Sequence, residues 1–475
     1  MSSIARNAVW NMVRVGSNIL FPLISFPYIS RVLGPAVKGE YDYVYAVVSY
    51  FILFANLGFP IYGIREISKS RDSRKEISDT VSSIFTTNVF SVSIAFILFV
   101  LLTLAIPSNE KLLFSIVGIS IVFSCIQFDW FYQGVEDFKY ITIRSLVVKT
   151  LSLIALFYFV RTKEDLIAYA LISVIGEFGN NIFNLFRIGK YADLRFSLKN
   201  NFAHVRGASA LFLGTVAVSL YTQLNTVMLG ILDTKESVGY FTAGNKLVHL
   251  ILSVITAMLA TIIPRISYQM GTGKKEEGVQ LQHKVLKLTL YLSYPLIAIL
   301  YFLAGDIVVV LAGNQYLPAI PALKILCLLV IIIPLSNFLG LQVLFPIKKE
   351  LFGTYAVIAG AIVNITLNYV LVIKYSFIGI SLAIVISEFV VTYVHYYFAR
   401  RYFKIPFMEF LPRNCIIAVA SLSILLMISN YYYPYFNLMS LIVKGVIAIL
   451  FYISLLCVLK DKLCFELLQK IKVRK

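Results

Sequence analysis

The chain runs to 475 residues, 59 % of them hydrophobic and only 14 % charged, with a mean hydropathy of +0.84. No soluble class has that balance, and the stretches between apolar runs are too short to bury a core of their own. The 42 Lys and Arg exceed the 24 Asp and Glu for a formal charge of +18. Their placement reads as membrane topology and excludes nucleic acid as the partner.

Apolar runs near the ~20 residues needed to cross a hydrocarbon core recur from end to end. They predict an all-α polytopic membrane protein of about fourteen spans, at 7–32, 40–63, 81–106, 112–133, 141–160, 165–186, 207–231, 238–263, 286–304, 319–345, 352–373, 377–399, 414–430 and 436–459. Counting Arg31, Arg144 and Lys287, which stand within a few residues of span ends, with the adjoining gaps, thirty of the Lys and Arg fall after even-numbered spans or at the two ends, against seven after odd-numbered spans. The positive-inside rule then sets both termini in the cytoplasm. Arg14 interrupts the first apolar run and no A-x-A-like site follows, so the first span is expected to stay. The tail Lys460–Lys475 reads as a basic stop or as a short helix lying on the inner leaflet.

The first span carries Asn7, Asn11, Arg14 and Asn18 at spacings 4, 3, 4, on one helix face, with Arg31 near its outer end. The second brings Asp42, Tyr45, Ser49 and Asn56. Asp129, Lys149 and Glu177 follow in the fourth, fifth and sixth. The seventh carries Thr215, Ser219, Thr222 and Thr226; the eighth carries Lys246, His249, Ser253 and Thr256. Lys324, Glu388 and Lys444 lie in the tenth, twelfth and fourteenth. A mid-membrane cation costs several kcal/mol unless it meets water, a counter-charge or a ligand. Arg14, Arg31 and Lys246 therefore read as a cationic site for an anionic head group, with Asn11, Asn18, Asn56, Thr222 and Thr226 offering hydrogen bonds in a polar cavity. Asp129, Glu177, Glu388 and His249 are candidates for proton or ion coupling; the competing role of the acids, favoured for Glu177 and Glu388, is to neutralise Lys149, Lys324 and Lys444, which can also snorkel. Helix glue is the competing role for the Ser, Thr and Asn side chains.

A duplication is visible. ISVIGEF (172–178) is echoed by IVISEF (384–389), and LGPAVKGEY (33–41) by LGILDTKESVGY (229–240). The expected organisation is an N-lobe at 1–190, a basic linker at 191–206, a C-lobe at 207–400, and spans thirteen and fourteen with the tail at 401–475. Two six-helix lobes related by a pseudo-twofold along the membrane normal suit a transporter with a central aqueous cleft. Cys125, Cys327, Cys415, Cys457 and Cys464 form no C-x-x-C, so neither a disulfide framework nor a metal site is indicated. No G-x-x-x-x-G-K-[ST] motif is present, and no cofactor is expected.

PYISRVLGP (27–35) with Gly39 and Tyr41, GIREISKSRDSRKEIS (63–78), FDWFYQGVEDFKY (128–140) and NITLNYVLVIKYSFIGISLAIVISE (364–388) resemble the polysaccharide repeat-unit flippases. These are the Wzx-type O-antigen and capsule translocases of the MOP exporter superfamily, and the resemblance runs from Arg6 to about Arg400. It implies a bacterial inner-membrane transporter, not an enzyme, whose fourteen helices form two lobes around a V-shaped central cavity. The implied cargo is a polyprenyl-pyrophosphate-linked oligosaccharide, flipped to the outer leaflet by alternating access for surface polysaccharide such as O-antigen lipopolysaccharide. It also implies glycan polymerase and glycosyltransferase partners, and matches Arg14, Arg31 and Lys246 to basic positions of the first and eighth spans. Rival readings are a MATE-like multidrug or cation exporter, a peptidoglycan-precursor flippase, and a membrane-embedded glycan polymerase or ligase.

Overall fold

Where the long helices break decides this fold. The computed structural model describes residues 3–197, 201–403, 409, 411–433, 436–461 and 464–465; side chains at 3–5, 201–202, 210–211 and 213–222 lie outside the description. Thr215, Ser219 and Thr222 therefore fall outside the described side chains, as does most of the basic tail. Among the described residues all regular structure is helical. Eleven helices among the described residues are long and apolar enough to cross a membrane, so the chain is a multi-pass membrane protein. Two of the eleven, Arg6–Ser70 (65 residues) and Leu351–Ala399 (49 residues), would be roughly 97 and 73 Å long if straight, against a hydrocarbon core of about 30 Å. Each is broken.

In α1 (Ser3–Asn56) the break is at Gly34, with φ 73° and ψ 174°. Glycine takes that backbone without a Cβ clash, and Pro35 has no N–H to lose as the next helix starts. In α16 (Leu351–Ala399) the break falls at Ser376, with φ 54° and ψ −137°.

The helices group into two units, Met1–Gly239 and Tyr240–Lys475. In the first, α1 packs against α3 (Arg74–Ala105), α4 (Ser108–Ser124), α6 (Phe138–Phe159) and α9 (Asn201–Leu232). Its apolar interior has two centres. One joins Leu33, Val44, Val48, Phe99, Phe114 and Val117. The other gathers Phe59, Ile67, Ile84, Phe128, Phe131 and Tyr132 around α2 (Phe59–Ser70) and α5 (Asp129–Gly134).

The two halves of the repeated turn signal meet inside this unit. A Cβ on Gly39 would stand 1.8 Å from the Lys235 carbonyl oxygen, and one on Gly239 would stand 2.1 Å from that of Pro35. Only glycine permits backbones this close, as in small-residue crossings of membrane helices generally.

The expected fourth and sixth spans are interrupted. α4 ends at Ser124 and helix resumes as α5; α7 (Leu166–Glu177) gives way to a 3₁₀ turn before α8 (Ile182–Ile188). At these breaks the side-chain amides of Asn180 and Asn184 donate to the carbonyls of Glu177 (2.8 Å) and Ile126 (3.1 Å).

In the second unit, α12 (Lys275–Phe302) packs on α15 (Leu329–Asn337) and on α17 (Arg413–Tyr432), which pairs with α18 (Leu438–Val458). The expected tenth span comes in pieces: α14 (Ile320–Leu326), α15, then a π-helical turn at Phe338–Leu344. Pro318, Pro321, Pro334 and Pro346 supply no amide hydrogens there. Buried polar groups re-satisfy carbonyls of the loosened stretch: Gln282 donates to that of Gln342 (2.6 Å) and Thr392 Oγ1 to that of Ile332 (3.2 Å).

Candidate functional site

The 4, 3, 4 stripe of α1 forms a connected polar surface. Arg14 Nη2 donates to Asn11 Oδ1 at 2.9 Å, and Ser17 Oγ caps the Arg14 carbonyl at 2.7 Å. The Arg14 Nε is buried and has no hydrogen-bond partner among the described residues. From α6, Lys149 reaches across to Asn18 Oδ1, its ammonium 6.0 Å from the ring centre of Phe21. No carboxylate of the described residues lies within 4 Å of either cation, while Lys149 shares an electrostatic neighbourhood with Glu177, Arg14 and Asp129.

The acids nearby are occupied. Asp129 is bridged at 2.5 Å by Arg144, which also donates to Asn184 Oδ1. Glu177 accepts the Tyr45 hydroxyl at 2.8 Å. Asp42 is paired with the buried Lys38, whose ammonium also lies over the rings of Tyr41 and Tyr169 at 5.4 and 5.8 Å. An i, i+4 Lys–Asp spacing was the available sequence signal for that pair.

Arg31 is exposed, and Asn56 is half-buried where α1 ends before the left-handed Gly58. Thr226 is buried on α9 beside Asn225. In the second unit, on α10 (Lys235–Ala260), Lys246 is half-buried and His249 exposed. Farther along that stripe, Ser253 and Thr256 bond the carbonyls of Leu250 and Leu252, at 2.7 and 2.8 Å. Such back-bonding leaves the two hydroxyls little to offer a ligand. Glu388 is half-buried on α16, where Thr392 donates to its carbonyl. Lys324 lies 5.0 Å from the ring centre of Tyr301. Lys444 has a carboxylate partner that the sequence pattern did not point to: Asp306, at 3.3 Å, with Asn430 Oδ1 at 3.1 Å.

The aromatic motif 128–140 has a structural explanation in the first unit. Trp130 covers Gly63, whose Cβ would fall 2.3 Å from the indole, and Gly134 sits on Ile67. The hydroxyls of Tyr132 and Tyr140 donate to the carbonyls of Asn184 and Phe183, each at 2.6 Å, while Asp137 holds Tyr191 (2.9 Å) and Arg187 (3.0 Å). From there the chain runs along α3. The amides of Asp193, Arg195 and Ser197 donate to the hydroxyls of Ser78, Ser82 and Thr86 at 2.9, 3.0 and 2.9 Å. Two extended residues rise roughly 6.6 Å and four helical residues roughly 6.0 Å, so every second amide meets a hydroxyl one turn further on.

Residues 4–270 match the family described as polysaccharide biosynthesis protein, and residues 210–370 match the MatE family. A putative O-antigen transporter of Escherichia coli (strain K12) is 29 % identical over 408 residues, covering 84 % of this chain and 97 % of the relative. A capsular polysaccharide biosynthesis protein, CapF of Staphylococcus aureus, is 24 % identical over 82 % of this chain and 98 % of its own length. Among solved structures, the lipid II flippase MurJ in an inward closed conformation superposes with a TM-score of 0.79 at 17 % identity, covering 96 % of this chain and 99 % of that one. An inward-facing multidrug MATE transporter of the MOP superfamily gives 0.64 at 14 % identity, covering 80 % and 93 %.

Proposed function

The chain belongs to the polysaccharide biosynthesis protein family, and from that premise we propose that it is a flippase, not an enzyme, which carries a polyprenyl-pyrophosphate-linked oligosaccharide from the inner to the outer leaflet by alternating access. The observation that carries this reading is the chemistry around Arg14: a guanidinium inside an apolar helix, held by Asn11 and not by an acid, with a buried Nε left over. An anionic head group supplies the missing counter-charge through charge-assisted hydrogen bonds. The near full-length likeness to a putative O-antigen transporter supports a glycan-bearing cargo.

In this proposal Arg31 and Lys246 join Arg14 in holding the head group. Asn11, Asn56, Thr222 and Thr226 bond sugar hydroxyls, and Glu177, Glu388, Asp129 or His249 couple an ion or proton. The proposed organisation keeps fourteen crossings, lobes at 1–190 and 207–400, a linker at 191–206, the appended helices at 401–475, and both termini on the cytoplasmic side of a bacterial inner membrane. Glycosyltransferases and a polymerase would act before and after it. A membrane potential negative inside drives a doubly anionic head outward by roughly 4–5 kcal/mol per 100 mV.

A drug-cation exporter needs embedded carboxylates available to its cargo. Here Asp42, Asp129 and Asp306 are each paired with a basic side chain and Glu177 takes a tyrosine hydroxyl, which favours the anionic cargo. Expression in a bacterial strain lacking its own O-antigen or capsule flippase tests the reading. Restored surface glycan is expected; resistance to cationic drugs with no restored glycan would reverse the assignment.

A further inference from the structure

We infer that Lys149 is a second cationic ligand for the diphosphate of the cargo, paired with Arg14 and aimed by Asn18. The inference rests on the flippase reading and gives α6 a direct part in head-group binding. Arg14 and Asn18 are one turn apart on α1, roughly 6 Å along the axis. Asn11 holds the first cation from one side, and Asn18 holds the Lys149 ammonium at the next turn. Two like charges are thus held on one seven-residue stretch of an apolar helix.

Neither cation has a carboxylate within 4 Å among the described residues, although acids are nearby. Asp129 is engaged by Arg144, and Glu177 takes the Tyr45 hydroxyl. Amide oxygens are neutral acceptors. They orient an ammonium or guanidinium without cancelling its charge, so each cation keeps unspent field and, at Arg14, an unspent buried N–H. A single phosphate or carboxylate would neutralise one charge and leave the other. A diphosphate offers oxygens on two phosphorus centres, one set for the guanidinium held at Asn11 and one for the ammonium held at Asn18, anchors seven residues or roughly 10 Å apart along the helix. Asn18 is then a positioning residue that fixes the ammonium and is not itself a sugar ligand.

The test follows thermal unfolding of the purified full-length chain against inorganic pyrophosphate, for wild type and for R14A, K149Q, K149R and N18A. Losing one charge-assisted contact is expected to weaken the K149Q response roughly tenfold to a hundredfold. K149R should keep the response, and N18A should weaken it by less than K149Q does. If K149Q responds as wild type while R14A has lost its response, the Lys149 inference fails and the cationic reading of Arg14 stands. If wild type and R14A respond alike, or neither responds, both fail. Should K149Q not fold, N18A and K149R decide: an unchanged N18A response, or a lost K149R response, overturns the assignment.

Discussion

Lys444 and Asp306 are 6 % and 1 % exposed, and their 3.3 Å contact is completed by Asn430 on the lysine and Ser440 on the acid. Removing one partner of such a pair strands a buried charge, whereas replacing both leaves apolar packing. Lys444→Met is therefore expected to cost about 3–5 kcal/mol in thermal unfolding, and the Lys444→Met/Asp306→Leu double variant to recover most of it. A double variant no better than the single would contradict the pairing argument.

His204 lies outside the expected seventh crossing, 2.9 Å from the Tyr62 hydroxyl. Burial holds its imidazole below the usual range, against the opposite pull of Glu66. A depressed folded value means the unfolded chain binds the proton more readily. Stability from this site is thus full above about pH 6.5 and lost as pH falls below it. Protection factors of the amides around residues 203–207, taken relative to the intrinsic exchange rate at each pH, should fall on going from about pH 7.5 to 5.5, and His204→Gln should flatten that dependence.

The hydroxyl ladder of α3 and the glycine crossing are properties of elements. Replacing Ser78, Ser82 and Thr86 together by Ala, Ala and Val removes the acceptors for the amides of Asp193, Arg195 and Ser197. Each lost bond is worth roughly 1 kcal/mol. Exchange of the Asp193, Arg195 and Ser197 amides should accelerate, with the rest of the first unit little changed; unaltered exchange would mean the ladder holds nothing. At the glycine crossing, Gly39→Ala puts a methyl into space already taken by the Lys235 carbonyl. A destabilisation of about 1–3 kcal/mol is expected from overpacking, read as a lowered melting temperature.

At the scale of the whole molecule, the helical membrane class was legible because hydropathy and charge report directly on where chain meets lipid. The glycine of LGP and the paired turn signals were legible as pattern, and the structure gives them a backbone break and a crossing. The interruptions at 125–128 and 178–181 were not, since hydropathy averages over a run and does not register where its hydrogen bonds are rerouted to asparagine side chains. The candidate site was half legible. Arg14, Asn11 and Asn18 stand out by helical spacing, but the link from Asn18 to Lys149 joins residues 131 apart in sequence. A separation of 138 residues likewise hid Asp306 as the partner of Lys444.

The central claim is that embedded cations hold an anionic glycolipid head. The most direct measurement is surface glycan display by Arg14→Ala and Lys246→Ala, each expressed in a flippase-deficient strain at wild-type protein level. Each substitution is expected to cut display at least about tenfold, the cost of one lost charge-assisted contact. Wild-type display by both variants would contradict the account.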